Sequence, residues 1–266
     1  MIRFFVLVLI FFEVNIGFGQ TVAFNKIVSD SLTHINFINN THAPITLTIK
    51  KTKDTIPFDI SLGDLLCNRK DSLVNIISFS NTLKERDSTF SINNFVKISY
   101  SIGKRLHKDS IKDHLYELPF QKGKRYKIIQ GFNGSFSHQS KQSKYAIDFK
   151  IPIGDTIIAA RSGHVVYTVS HFTEHGGKDF IEKANKIMIL HDDGTVANYV
   201  HLDTNGVLVH VNDYVKAGQP IGIAGFTGYS TRPHLHFVVR NFDEAVPVTF
   251  EEKKNIGRKS GIWVKK

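Results

Sequence analysis

The chain has 266 residues, of which 41% are apolar and 22% are charged, and these values are ordinary for a globular protein. Its net charge of +10 favours a polyanionic neighbour such as nucleic acid, an anionic cell wall or a membrane surface. The lysines are scattered and no aromatic-plus-arginine pattern accompanies them, so we interpret the charge as a basic, soluble surface and expect no nucleic-acid partner. The single cysteine, Cys67, excludes a disulfide framework and is expected to be a buried small apolar residue.

Residues 1–19 have the pattern of a secretory signal peptide. Arg3 supplies a positive charge, residues 4–12 form an apolar run too short to span a bilayer, and residues 17–19 read Gly-Phe-Gly. We expect cleavage after Gly19 or Gln20 and an exported product, located in a periplasm, in the cell envelope or outside the cell. An uncleaved anchor is the alternative. No later stretch is apolar enough to cross a membrane, so no membrane span is expected after cleavage.

Residues 20–118 differ from the rest of the chain in glycine content and in the pattern of apolar residues. Only four of the 19 glycines precede residue 118, and short alternating runs at 45–49, 90–92 and 96–100 are separated by clusters of Asn, Asp, Ser and Lys. This pattern predicts a small N-terminal β module that resembles a β-sandwich. Its residues point to no chemistry, so a spacer or a binding module is the default interpretation.

Turn-forming residues at 118–123 mark a boundary, and the segment 119–248 is predicted to be an antiparallel β-domain with hairpin connections. The fold class is therefore predicted to be all-β, and residues 249–266 are interpreted as a basic C-terminal tail. The predicted strands of the second domain include 126–130, 145–151, 156–160, 164–169, 186–190, 195–201 and 219–224.

The sequence Pro-His-Leu-His-Phe at 233–237 follows a Gly-rich turn and leads into a β-branched run, which predicts a strand. Residues i and i+2 of a strand point to the same face. His234 and His236 therefore project together, while Leu235 and Phe237 face a core. Two such imidazoles can bind one metal, or one can bind it while the other acts on a substrate. A solvated sheet face that carries two histidines is the alternative.

Other polar residues occupy comparable positions in the same domain. His138 follows Gly-Ser-Phe-Ser, and Asp148 points away from the apolar face of the alternating run 145–151. Tyr199 and His201 lie two residues apart at a strand end, so we expect them to share a face. Each of these residues, taken alone, is typical of a solvated polar position.

Taken together and in order, these motifs resemble the M23 family of zinc metallopeptidases, the lysostaphin-type or LytM-domain cell-wall endopeptidases. The matching segments are 136–138, 145–149, 152–156, 159–166, 191–195, 199–202, 215–222 and 233–237. The resemblance implies that His138, Asp148 and His236 are zinc ligands and that His201 and His234 are catalytic without binding the metal. The gap between His138 and Asp148 is longer than in the short members of the family but similar to that in its longer-loop members. The chain departs from the family in an enlarged loop at 171–186 and in Asn212-Asp213, which stands where a glycine turn is common.

The chemistry of these residue types agrees with that resemblance. Two imidazole nitrogens and one carboxylate oxygen occupy three of the four tetrahedral positions of Zn²⁺ and leave one for water, whose pKa falls to about 7. A neutral histidine can accept a proton from that water, and a second one can stabilise the oxyanion or protonate the leaving amine. The sequence leaves the assignment between His201 and His234 open. Asn198 and Tyr199 are predicted to contact the substrate.

The resemblance implies zinc-dependent hydrolysis of peptide bonds in the peptide part of bacterial peptidoglycan, which is also the predicted partner. One alternative is a catalytically silent LytM-like module that binds the wall or activates another hydrolase. Another is a carrier or scaffold domain, suggested by the hairpin-like run at 215–222. Such a carrier has no use for the histidine set. The sequence contains no His-Glu-x-x-His motif, no Gly-x-Ser-x-Gly elbow and no phosphate loop.

Overall fold

The computed structural model describes residues 12–17, 20–83, 91–106 and 114–266. Most of the predicted signal peptide therefore lies outside the described residues. The chain divides into two compact units, Met1–Lys104 and Arg105–Lys266. The second unit thus begins before the predicted limit at residue 118, and Tyr116 and Leu118 are buried in its core. No helix in the described ranges combines the length and the apolar character needed to cross a bilayer.

The first unit consists of two antiparallel sheets that contribute to one apolar core. Its strands are β1 (Phe12–Gly17), β2 (Gln20–Val28), β3 (Leu32–Asn39), β4 (Ile45–Lys51), β5 (Asp59–Ile60), β6 (Gly63–Cys67), β7 (Asp71–Ser80) and β8 (Val96–Ile102). The sheet orders are β1-β2-β3-β7-β5 and β6-β4-β8. Phe37 of the first sheet and Leu47 of the second belong to the same buried cluster. The alternating run at 90–92 does not form a described strand, because Phe90 lies outside the described residues and a 3-10 helix spans Ile92–Asn94.

The second unit is built around a nine-stranded sheet with the order β18-β13-β15-β16-β21-β11-β10-β24, in which β22 also pairs with β21. Its strands are β9 (Leu115–Tyr116), β10 (Arg125–Gln130), β11 (Ile147–Lys150), β12 (Thr156–Ile158), β13 (Gly163–Val169), β14 (His175–Gly176), β15 (Lys186–Leu190), β16 (Val196–Val200), β17 (Leu202–Val207), β18 (Tyr214–Val215), β19 (Pro220–Ala224), β20 (Gly228–Tyr229), β21 (Leu235–Asn241), β22 (Glu244–Val246), β23 (Thr249–Phe250) and β24 (Trp263–Lys265).

A smaller antiparallel sheet, β12-β19-β17, belongs to the same unit, and short 3-10 helices span Lys178–Phe180 and Ile256–Arg258. The main sheet is antiparallel, as predicted, and the two-stranded pairs β14–β20 and β23–β9 are parallel. The strand-dominated architecture of both units confirms the predicted all-β fold class.

One face of the nine-stranded sheet carries the core of the second unit. Phe149 on β11 and Phe237 on β21 are fully buried there, and the ring of Tyr199 on β16 lies 5.2 Å from that of Phe237. Residues 249–266, interpreted from sequence as a basic tail, supply β23 and β24. Their side chains Phe250 and Val264 are buried in the same core, because apolar residues spaced between the lysines face the sheet.

Candidate metal centre

Asp148 and His236 lie directly opposite each other on β11 and β21. Their strand neighbours Phe149 and Leu235 are buried in the core, so alternation places Asp148 and His236 on the other face of the sheet. Asp148 Oδ1 lies 2.9 Å from His236 Nδ1. Two polar side chains are thereby held together by the register of a rigid sheet.

His138 reaches the same place from the loop between β10 and β11. Its side chain is fully buried, and its Nδ1 donates a hydrogen bond to the Gly131 carbonyl at 2.9 Å. A carbonyl oxygen can only accept, so Nδ1 carries the proton and Nε2 is the free nitrogen. That Nε2 lies 3.1 Å from Asp148 Oδ1 and 3.3 Å from His236 Nδ1.

The three groups form a donor set that suits a metal ion. Their ligand atoms all lie within 4.8 Å of one another, and two imidazole nitrogens with one carboxylate oxygen match the ligand types that Zn²⁺ takes in catalytic sites. Burial would raise the pKa of Asp148, but the adjacent imidazoles of His138 and His236 hold that pKa well below its usual range. Burial lowers the pKa of His236, which favours the neutral imidazole that a metal requires. Burial would lower the pKa of His138, but the nearby carboxylate of Asp148 outweighs this effect, so that pKa is raised.

Gln130, the last residue of β10, connects this loop to the carboxylate. Its Nε2 donates to Asp148 Oδ2 at 3.0 Å and to Ser137 Oγ at 2.8 Å, and its Oε1 accepts from the Phe136 N–H at 3.1 Å. Hydrogen bonds to ligating carboxylates orient them toward the metal. Gln130 was not predicted from the sequence, because the sequence shows it only as a polar residue at the end of an alternating strand.

His234 lies immediately before β21 and approaches the carboxylate from the side. Its Nδ1 donates to the Arg232 carbonyl at 2.8 Å, and its Nε2 lies 3.8 Å from Asp148 Oδ1. The Ser230 hydroxyl is 3.1 Å from the same Nδ1. His234 is therefore held by the turn that precedes it, with Nε2 directed to the donor set.

His201 follows β16 and completes the cluster. Its Nδ1 lies 2.6 Å from the Thr227 carbonyl oxygen, and its ring centroid lies 4.6 Å from that of His234 and 6.0 Å from that of His236. Burial, together with the neighbouring His234 and His236, lowers the pKa of His201 to about 3. The imidazole is therefore neutral near pH 7, and its Nε2 is able to accept a proton.

The predicted substrate contact of Tyr199 needs correction. Its side chain is fully buried on the core face, and its hydroxyl accepts a hydrogen bond from the Ala160 N–H at 2.8 Å. The alternation that was expected to place it beside His201 is broken, because β16 ends at Val200 and His201 has a φ of +69°.

Asn198 lies on the same sheet face as His236, since Asn198 pairs with Val238 and Val200 with His236 across β16 and β21. The side chain is buried, and its Nδ2 donates to the Val196 carbonyl at 3.2 Å. A substrate contact by Asn198 stays a prediction.

A second group of potential ligands, His114, Asp192 and Asp193, has ligand atoms within 4.8 Å of one another. The guanidinium of Arg161 already occupies this group, with Nη1 2.7 Å from Asp193 Oδ2 and Nη2 bonded to Asp192 Oδ1. Because a cation is built into the cluster, we interpret it as a structural ion pair.

Comparison with known proteins finds a family match for a segment of the second unit. Residues 142–248 match peptidase family M23. That segment contains Asp148, His201, His234 and His236, and it begins after His138.

Three curated relatives each match part of the chain. Lysostaphin from Staphylococcus simulans is 37% identical over 123 residues, covering 44% of this chain and 23% of the relative. Peptidoglycan DD-endopeptidase ShyB from Vibrio cholerae is 33% identical over 138 residues, covering 50% and 30%. Murein hydrolase activator NlpD from Salmonella dublin is 34% identical over 114 residues, covering 43% and 26%.

This chain thus spans about a quarter of the length of the curated relatives that it matches. The solved catalytic domain of lysostaphin from Staphylococcus simulans aligns with 32% identity and a TM-score of 0.35, covering 47% of this chain and 87% of that one. Residues 142–248 therefore form a domain of peptidase family M23, homologous to lysostaphin and to the peptidoglycan DD-endopeptidases.

Proposed function

We propose that this protein is a zinc-dependent endopeptidase that hydrolyses peptide bonds in the peptide part of bacterial peptidoglycan. The observation that carries the proposal is the arrangement of five side chains. A buried His138–Asp148–His236 donor set lies beside His201 and His234, and each of these two rings has its Nδ1 bonded to a backbone carbonyl. Similarity to lysostaphin and ShyB supports the substrate class.

In this proposal the metal is held by His138 Nε2, Asp148 Oδ1 and His236 Nδ1. Bound Zn²⁺ would activate a water molecule and polarise the scissile carbonyl. The Gly131 carbonyl and Gln130 orient two of these ligands through their second polar atoms.

The two remaining histidines supply the proton transfers. One of His201 and His234, with Nε2 unprotonated, accepts the proton of the attacking water. The other, when it carries a proton on Nε2, stabilises the developing oxyanion or protonates the leaving amine. Both residues are buried, so their hydrogen-bond geometry is protected from competing solvent.

The proposal extends to the rest of the chain. Residues 1–19 act as a signal peptide, and the exported protein works in a periplasm, in the cell envelope or outside the cell. Residues 20–104 form a spacer or binding module, and the peptidase domain lies within residues 105–266. The net charge of +10 suits an anionic envelope.

A second candidate is a catalytically silent module that binds the wall or activates another hydrolase. The similarity to murein hydrolase activator NlpD from Salmonella dublin favours it. The presence of all three metal donors and both further histidines favours turnover instead.

The deciding experiment is incubation of purified peptidoglycan with the zinc-loaded protein, followed by mass spectrometry of the released muropeptides. New peptide ends that disappear with a chelator are expected, and their masses identify the bond. Intact muropeptides in the presence of protein-bound zinc would support the silent module. The His234→Ala variant serves as the inactive control.

A further inference from the structure

His201 has an unusual backbone conformation that its neighbours enforce. Its φ of +69° lies in the left-handed region, which residues other than glycine seldom adopt. The Gly225 N–H donates to the His201 carbonyl at 3.1 Å, and the N–H of the next residue, Leu202, donates to the Asn185 carbonyl at 3.1 Å. Such a conformation persists only where the surroundings over-determine it.

Thr227 contacts both the ring of His201 and the residue that follows it. Its carbonyl accepts from His201 Nδ1 at 2.6 Å, and its hydroxyl donates to the Leu202 carbonyl at 2.8 Å. The same hydroxyl accepts from the Asn185 N–H at 3.0 Å. The side chain is 2% exposed, so no solvent replaces these partners. The Thr227 hydroxyl therefore fixes the position of the carbonyl that holds the imidazole.

Asn185 anchors this arrangement to the enlarged loop. Its fully buried amide donates to the Phe172 carbonyl at 2.8 Å and to the Asp203 carbonyl at 3.1 Å, and it accepts from the Phe172 N–H at 2.9 Å. The backbone of Gly228 also lies close to Ala184, since a Cβ at residue 228 would lie 2.4 Å from the Ala184 Cβ. Gly228 has a φ of +79°. The loop before β15 is thus tied to both segments that carry His201 and its acceptor.

We propose that Thr227 and Asn185 are positioning residues for the reaction proposed above, which hold His201 with Nδ1 protonated and Nε2 free. The carbonyl of Thr227 accepts a hydrogen bond only from a protonated Nδ1, and this selects the tautomer whose Nε2 has a lone pair. The other tautomer would present an Nε2–H to the site and could not accept a proton there. This inference rests on the proposed function, but the tautomer can be measured without turnover.

The first test is the tautomeric state of His201 in the zinc-loaded, full-length protein, measured by ¹H–¹⁵N correlation spectra of the histidine rings. The His201→Gln spectrum identifies the signals. We expect a protonated Nδ1 and an unprotonated Nε2. A protonated Nε2 would overturn the proposal, whether or not the protein cleaves peptidoglycan.

The second test compares Thr227→Val, which keeps the shape and removes the hydroxyl, with the conservative Thr227→Ser. For Thr227→Val we expect kcat to fall at least about tenfold, KM to stay within about twofold and the zinc content to match the wild type. The His201 signals should report mixed tautomers. Thr227→Ser should recover most of kcat, because the hydroxyl is restored.

Thr204→Val is the matched control, since the Thr204 hydroxyl donates to the Phe172 carbonyl at 2.9 Å in the same region. It should change kcat by less than about twofold. Wild-type kcat and spectra in Thr227→Val, or an equal loss of kcat in Thr204→Val, would contradict positioning by Thr227. If Thr227→Val does not fold, the wild-type tautomer still decides the question.

Discussion

Asp148 and His236 face each other across β11 and β21, with Oδ1 and Nδ1 2.9 Å apart. Sheet register alone therefore brings together two of the three proposed metal donors, while His138 comes from a loop that Gly131 and Gln130 hold. Rigid strands position such groups more precisely than loops do. The contributions of the strands and of the loop can be separated by substitution.

His236→Ala removes one donor from the sheet. We expect metal binding and peptidase activity to be lost together, because two donors hold Zn²⁺ far more weakly than three. Zinc per chain after dialysis and the rate of muropeptide release are the measurements. A variant that kept full zinc content would show that His236 is not a ligand.

His201→Ala leaves the donor set intact. We expect zinc content to match the wild type and kcat to fall about 10²–10⁴-fold, the typical contribution of a general acid or base. The measurement pairs metal analysis with turnover kinetics. Loss of zinc in this variant would mean that the roles of ligand and catalytic residue have been exchanged.

Gln130→Met removes the hydrogen bond to Asp148 Oδ2 and keeps the side-chain length. We expect zinc affinity to fall about 10–100-fold, as for other residues that orient a metal ligand. A chelator competition titration measures this. Gln219→Met is the control, since the Gln219 side chain is exposed and accepts a hydrogen bond from the Lys216 N–H at 3.1 Å. Equal affinities in the two variants would exclude an orienting role for Gln130.

Arg161→Met leaves Asp193 buried without its cation. We expect the free energy of unfolding to fall by about 3 kcal/mol at pH 7, in the range for breaking a buried pair. Denaturant titration measures the loss. In the control Lys124→Met, which breaks a half-exposed pair with Asp155, the loss should be below about 1 kcal/mol. Similar losses in both variants would contradict a special role for the Arg161 pair.

The same pair predicts a pH dependence. Burial would raise the pKa of Asp193, but hydrogen bonds from Thr195 and Arg161 lower it. A group with a lowered folded-state pKa stabilises the fold above its unfolded pKa of about 4, and this contribution is lost as the pH falls further. The free energy of unfolding should therefore decline less steeply below pH 4 in Arg161→Met than in the wild type. Parallel curves would contradict the expectation.

The reactivity of Cys67 provides a test of how tightly the core of the first unit is packed. The side chain is 1% exposed, and burial, with a smaller effect of Asp71, raises the pKa of its thiol to about 11. The reactive thiolate is therefore scarce at neutral pH, and we expect no reaction with a thiol reagent in the native protein and complete reaction in denaturant. Rapid native reaction would show that the core around Cys67 opens readily.

Much of the second unit could be predicted because its strands alternate. The predicted runs at 126–130, 164–169 and 186–190 correspond closely to β10, β13 and β15. The inward direction of Leu235 and Phe237 is also as predicted, and both lie in the core. These features depend on a period of two residues, which the chain determines locally.

The sequence by itself thus determined the fold class, the order of the motifs and which residue types gather on one sheet. Only the tertiary structure decided which polar atoms meet, because those partners lie far apart in the chain. Examples are Gln130 with Asp148, Thr227 with His201, and the left-handed turn at His201 that breaks the alternation between Tyr199 and His201. A local period cannot encode such contacts, since they depend on how separate loops approach one another.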